Sequence, residues 1–197
     1  NEKIGQLVRY SGKWNATGPS ASNADKHKLN KLKNGEVGSM LNITSVASIR
    51  ETQKMVMDHS RLKIPLIFGY DVIHGYKTIF PIPLGESASW DLKVIKKTAE
   101  IAAKEAAASG LNWTFAPMLD VSRDARWGRI MEGAGEDTYL NTVIGVARVQ
   151  GFQGTDLSKT YTIAACAKHF AGYGFGEAGR DYNTVNVGEN ELHNAIL

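Results

Sequence analysis

Charged side chains in this chain gather where its apolar runs finish. Asp71 follows "IPLIFGY" (64–70), "MLDVSRDARWGR" (118–129) follows "NWTFAP" (112–117), and "YTIAACAKHF" (161–170) itself ends in Lys168 and His169. A carboxylate such as Asp71 can accept two hydroxyl protons at once. Arginine and lysine donate to hydroxyl oxygens, and histidine does either. Trp113 and Trp127 offer apolar faces for a sugar ring. This chemistry suits a polyhydroxylated ligand and leaves the reaction open. Plainer roles stand beside it. Asp71 could cap a turn, His74 before Gly75 could be a satisfied turn histidine, and Arg126 and Arg129 could form structural ion pairs with Asp124, Glu132 and Glu136. Asp120 and Asp124 read as caps or partners of those arginines. Lys168-His169 is hardest to explain structurally, because burying two cationic groups without partners is costly.

Other chemistries fit less well. His74 and His169 lack partners at metal-ligand spacing, so no metal and no cofactor is expected. No GxSxG elbow is present for a Ser-His-Asp site. Gly174-x-Gly176-x-x-Gly179 has the form of a dinucleotide fingerprint, but those glycines should open a helix. Here "RDYNTVNV" follows, whose β-branched and turn-forming residues do not start one. The run before the glycines ends in a charged pair where that motif wants apolar residues.

The elements that must hold these groups follow from periodicity. "VGSMLN" (37–42), "IPLIFGY", "NWTFAP" and "YTIAACAKHF" read as strands, the second as one buried on both faces. Helices are expected over 45–60, over 91–110 with Asp91 as N-cap and Gly110 as stop, around Leu140, Val143, Ile144 and Ala147 up to Gly151, and from "GENELHNAIL" onward. In the second helix Leu92, Ile95, Ala99, Ala102 and Ala106 share a stripe. Strand alternating with helix means an α/β fold with a parallel sheet. The (β/α)8 barrel and the doubly wound sheet both fit this alternation; about four βα units are present, whereas a full barrel takes about 250 residues.

The 197 residues are 43% hydrophobic and 22% charged with net charge +3, ordinary for a single globular domain. The densest basic stretch, "KHKLNKLKNGE" (26–36), reads as a solvated helix face, so no nucleic-acid partner is expected. No run reaches the roughly 18 apolar residues of a membrane span, and no membrane partner is expected. Cys166 is the single cysteine, placed in an apolar run and read as a buried small hydrophobe. The chain begins "NEKIGQLVRY", with neither an initiator Met nor a signal-peptide pattern in these letters, and is expected to be processed or cut from something longer.

"EKIGQL" (2–7), "GYDVIHGYKTIFPIPLGESASWD" (69–91), "APMLDVSRDARWGRIMEGAGEDTYL" (116–140) and "AKHFAGYGFGEAGRDYNTV" (167–185) together resemble the N-terminal barrel of glycoside hydrolase family 3, especially its bacterial periplasmic β-glucosidases. Ala125 stands where a proline is usual before "RWGR". The resemblance implies a partial (β/α)8 TIM-type barrel over residues 1–197, and a retaining, exo-acting β-glucosidase as the whole enzyme. Asp71, Arg126, Lys168 and His169 would grip the non-reducing glucose, while Trp127, Arg129 and Glu132 shape the loop. The glycines would let the loop after the fourth run fold close to the sugar. The nucleophile, an Asp in a "VSD"-type motif, and the acid/base Glu would both lie outside these residues, so no catalytic residue is expected here. Partners would be β-linked glucosides or oligosaccharides, with the rest of the barrel as a second chain the further alternative, and location periplasmic or secreted. A β-xylosidase of the same family and a truncated, non-catalytic sugar-binding remnant are the alternatives. Expressed alone, the 197 residues are expected to lack glycosidase activity and to aggregate.

Overall fold

The computed structural model describes residues 2–12 and 22–197, with the backbone alone for 22–26. The chain divides into two compact units: Asn1–Tyr70 with Ala107–Trp113, and Asp71–Ala106 with Thr114–Leu197.

In the first unit short helix α1 (Glu2–Gly5) leads into β1 (Arg9–Ser11), and α2 (Ser22–Lys33), which carries most of the basic stretch, leads to β2 (Ser39–Leu41). Lys26, at the start of that stretch, has a side chain outside the described residues. Helix α3 (Val46–His59) then leads to β3 (Ile67–Tyr70). The first three strands pair in parallel, with Met40 opposite both Tyr10 and Phe68. Ser45 starts α3 by accepting a hydrogen bond from the Ser48 N–H at 3.1 Å. Gln53 on α3 accepts from the Leu66 N–H at 2.8 Å and so fixes the entry to β3. Asn112 extends the sheet towards β4 (Trp113–Thr114): its Oδ1 accepts from the Phe68 N–H at 2.8 Å, and its own N–H donates to the Phe68 carbonyl at 3.1 Å. The apolar run before Asp71 is not buried on both faces. Leu66 and Phe68 are buried, whereas Ile67 between them is 49% exposed, so only one face of the strand is covered.

The second unit is built on two helices. Asp91 caps α5 (Leu92–Ala108), accepting from the Lys93 and Val94 N–H groups at 2.9 and 3.1 Å. The stripe is buried as expected at Ile95, Ala99, Ala102 and Ala106, with Ala103 added, but Leu92 is exposed. Asp137 caps α6 (Thr138–Gln153), which runs past the stop expected at Gly151 and ends at Gly154 with φ +55°. Gly151 is where the helices touch. A Cβ there would lie 2.5 Å from the Lys96 carbonyl oxygen and 2.6 Å from Ala99 Cβ, so only glycine fits. Short α4 (Pro83–Ser87) precedes α5, and a single α-turn, α7 (Glu189–Glu191), continues as a wider turn over Leu192–Ile196.

The fourth predicted strand, 161–170, is not a continuous strand. Its backbone is nonetheless bonded to 114–119: the Thr114 N–H donates to Ala164 O, Cys166 N–H to Ala116 O, Lys168 N–H to Pro117 O and Leu119 N–H to Lys168 O. Met118 and Lys168 form an isolated parallel bridge. Pro117 has no N–H to give, so the ladder is interrupted. Cys166 is partly exposed, not buried as its apolar surroundings implied.

Candidate functional site

All four residues singled out from sequence lie in the second unit. Lys168 Nζ donates to Asp71 Oδ1 at 3.0 Å across 97 residues of chain. The Lys168 side chain is 13% exposed and that of Asp71 is 52% exposed. A largely desolvated ammonium is thus held by a carboxylate whose second oxygen makes no hydrogen bond among the described residues. Such a carboxylate can receive hydroxyl protons from a ligand.

His169 is adjacent, and it is tied elsewhere. Its ring Nδ1 lies 2.8 Å from Asp120 Oδ2, and its backbone N–H donates to the same oxygen at 3.0 Å. Asp120 was expected to be a cap or a partner of the arginines; its side chain serves the ring and backbone of His169 instead. Spatial register is the reason. Met118 pairs with Lys168, so residues just after one run stand beside residues ending the next. That alignment was the signal available in the sequence.

Each arginine is paired with an acid of its own loop, and Arg129 also donates from Nη1 to the Tyr173 hydroxyl at 3.4 Å. Arg126 makes a two-pronged pair with Asp124, Nε to Oδ1 at 2.9 Å and Nη2 to Oδ2 at 2.7 Å, and its side chain is 71% exposed. Among the described residues it makes no hydrogen bond or ion pair with Asp71, Lys168 or His169, and its Nη1 makes no hydrogen bond. The side-chain and backbone N–H groups of Arg126 hold the Asp124 carboxyl down at about 2. Arg129 pairs with Glu132 through Nε and Nη2 at 2.7 and 2.8 Å. Burial would raise the Glu132 carboxyl, but Arg129 outweighs it, helped by the charges of Lys168 and His169, and the result lies below the usual range. The Lys168–His169 pair is therefore felt at Glu132.

A cleft of about 350 Å³ opens between Asp71, Ile73, His74, Arg129, Met131 and Glu132, within the roughly 300–1,000 Å³ of small-molecule sites. His74 behaves as a turn histidine: its Nδ1 lies 3.0 Å from the Phe80 carbonyl and its carbonyl accepts from the Phe80 N–H at 2.9 Å. Among the described residues no group of three or more His, Cys, Asp or Glu is placed to hold a metal ion, and no helix is long and apolar enough to cross a membrane.

The glycine-rich segment folds into two short 3-10 turns, Tyr173–Phe175 and Glu177–Gly179, with no helix for a pyrophosphate to meet. Gly179 takes φ +65°, and a Cβ on it would come within 3.0 Å of Asp124 and Arg126. Its bareness lets this loop lie against the Asp124–Arg126 pair. Asp181 then joins the two loops, accepting from Trp127 Nε1 at 2.9 Å and from the Tyr173 hydroxyl at 2.6 Å. Desolvation and the Asp181 bond push the Tyr173 phenol up to about 12. Trp127 is buried, so it is a loop anchor and not an open face for a ring. Trp113 lies in the first unit. Sequence reasoning missed Tyr173 and Asp181, whose only signal was their place in the same loop as the glycines.

The model of the glycosyl hydrolase family 3 N-terminal domain matches residues 1–197. The chain belongs to that family. It is 45% identical over its whole length to the periplasmic beta-glucosidase of Salmonella typhimurium, covering 25% of that protein. It is 34% identical over 152 residues to a beta-xylosidase of Formosa agariphila, 71% of this chain and 21% of that one. The structure of a mutant beta-glucosidase from Listeria innocua in complex with laminaribiose superposes with a TM-score of 0.87 at 43% identity, over 100% of this chain and 28% of that one; the same enzyme has also been solved with glucose. The chain thus spans about a quarter of the length of such family 3 relatives. The parallel sheet and these neighbours agree with a partial TIM-type barrel.

Proposed function

We propose that this chain supplies the sugar-gripping part of a retaining, exo-acting β-glucosidase that releases glucose from the non-reducing ends of β-glucosides. The observation that carries the reading is the Asp71–Lys168 pair beside His169. Among the described residues it leaves one carboxylate oxygen and a ring nitrogen without a hydrogen-bond partner, at the mouth of parallel elements where such folds bind ligands. Likeness to proteins named beta-glucosidase, and to one solved with laminaribiose and with glucose, supports the choice of sugar.

In this reading the free oxygen of Asp71 accepts hydroxyl protons, the Lys168 ammonium donates from the other side, and His169 meets a further hydroxyl. Arg126 contributes through its unused Nη1 while Asp124 holds the rest of its guanidinium. Retaining chemistry needs two carboxyl groups about 5–5.5 Å apart; family resemblance assigns both outside residues 1–197, so the groups here bind and orient. A periplasmic or secreted location belongs to the same proposal and rests on the name of the Salmonella relative.

The test uses the complete gene product with p-nitrophenyl β-glucoside, following the anomer of the released sugar by proton NMR. β-Glucose appearing first, and a loss of about a hundredfold in kcat/KM in Asp71→Asn, is expected; that loss corresponds to about 3 kcal/mol, the upper range for a hydrogen bond to a charged group. Because a relative is named beta-xylosidase, the aryl β-xyloside is run beside it, and faster turnover of the xyloside replaces the glucosidase reading with that one. Glucose binding without turnover makes the protein a sugar-binding remnant. Neither binding nor turnover overturns the reading altogether.

A further inference from the structure

Asp120 is buried, with a side chain 1% exposed, and one oxygen does two jobs for one neighbour. Oδ2 accepts the backbone N–H of His169 at 3.0 Å and faces its ring Nδ1 at 2.8 Å. Oδ1 is buried with no hydrogen-bond partner among the described residues. A carboxylate engaged in this way can only accept, so the ring nitrogen opposite it must carry a proton. The Tyr173 ring and the imidazole pack edge to face, with centroids 4.9 Å apart and planes at 84°. A flipped ring would put a carbon against Oδ2 and leave the buried carboxylate with one bond fewer. His169 is therefore fixed in plane and in tautomer, and its Nε2 makes no hydrogen bond among the described residues while the side chain stays 35% exposed.

We propose that Asp120 is a positioning residue which keeps the proton of His169 on Nδ1 and so presents Nε2, in the neutral ring, as an acceptor for a hydroxyl proton of the sugar. Of the two roles open to a histidine, donor and acceptor, this one is left with the second. Beside it, the Lys168 ammonium donates, so the two neighbours read a hydroxylated ring with complementary polarity. A hydroxyl that donates to Nε2 can at the same time accept from Lys168, and an ether or deoxy position can do only one of these or neither. The part that concerns the sugar rests on the glucosidase reading; the part that concerns the proton does not.

The experiment separates the two. The complete gene product is labelled with 15N in histidine side chains, and solid-state 15N spectra are taken at about pH 9, well above the ordinary histidine range. The His169 signals are assigned by their loss in His169→Gln. A protonated Nδ1 and a bare Nε2 are expected in the wild type and in Asp120→Asn, whose amide oxygen can accept the same two N–H groups. In Asp120→Ala the proton moves to Nε2. A wild-type ring protonated on Nε2 overturns the inference, and so does an Asp120→Ala spectrum that keeps the Nδ1 proton. The wild-type spectrum decides the first point even if the alanine variant does not fold.

In kinetics, Asp120→Ala should lower kcat/KM for the aryl glucoside about tenfold, the scale of one hydrogen bond, and should cause no further loss in a His169→Gln background. An equal loss in both backgrounds would make Asp120 merely structural and overturn the positioning role. A bare Nε2 in a wild type that neither binds nor hydrolyses the glucoside leaves the tautomer assignment standing and removes the glucosidase reading alone.

Discussion

Arg148 on α6 is nine-tenths buried and reaches two places at once. Its Nη1 donates to Glu86 Oε2 at 2.6 Å, with each side chain 5% exposed, and its Nη2 donates to the carbonyl of Ile73, two residues from Asp71. Burial pulls the guanidinium below its ordinary value while Glu86 pulls the other way. Replacing Arg148 by Met leaves the Glu86 carboxylate buried and unpaired, which costs about 3–5 kcal/mol. Removing both partners, Glu86→Leu with Arg148→Met, abolishes that penalty and also removes Glu86 Oε1, which is buried without a partner among the described residues. The Ile73 carbonyl still loses its donor, at about 1–3 kcal/mol, so the double variant should recover a large share of the stability lost. Hydrogen exchange of peptides spanning 71–80 and 138–153 in the complete gene product reads the local opening free energies. The kinetics should part from the stability. kcat/KM is expected to stay depressed in the double variant, because the loop that carries Asp71 has lost its clamp. A single variant less than about 1 kcal/mol down, on the same scale, or a double variant no better than the single, would refute the argument that the buried pair is held together by the cost of breaking it.

Gly179→Ala must place a Cβ at φ +65° and within 3.0 Å of Asp124 and Arg126; about 1–2 kcal/mol of backbone strain should appear as faster proteolysis of the 172–186 loop, and an unchanged cleavage rate counts against the close-approach argument. Asp181→Ala strips Trp127 Nε1 and the Tyr173 hydroxyl of their shared acceptor, so Trp127 fluorescence should shift and the Tyr173 phenol, followed by absorbance near 295 nm, should titrate lower than about 12. On the acid side the carboxyl of Asp124 is depressed from 3.8 to about 2. Its contribution to folding is therefore complete above the unfolded value, shrinks as pH falls below about 4, and is gone below about 2; a carbon-13 titration of Asp124 with its midpoint near 4 contradicts the pair with Arg126.

How far the sequence led depends on whether a signal was local. Asp91 could be read as a cap because it acts on the N–H groups two and three residues ahead. Arg126 with Asp124 and Arg129 with Glu132 are likewise near neighbours, which is why the ion-pair reading of those arginines was available beside the sugar-binding one. Gly151 misled because a glycine that ends a helix and one that lets another helix approach look alike in a string of letters. The run 161–170 misled because the missing donor was Pro117, on the other segment. The pairs that make the site are the non-local ones. Asp120 meets His169 because 114–119 and 161–170 run in parallel and bring their carboxyl ends together, and the Lys168 beside that histidine reaches Asp71 across 97 residues of chain. The loop arginines are answered by acids two and three residues away, which leaves the cations that end 161–170 to be answered by acids from other loops. A carboxylate after each of the earlier runs, with a Lys-His at the end of a later one, is thus a pattern that the order of parallel elements turns into two adjacent pairs.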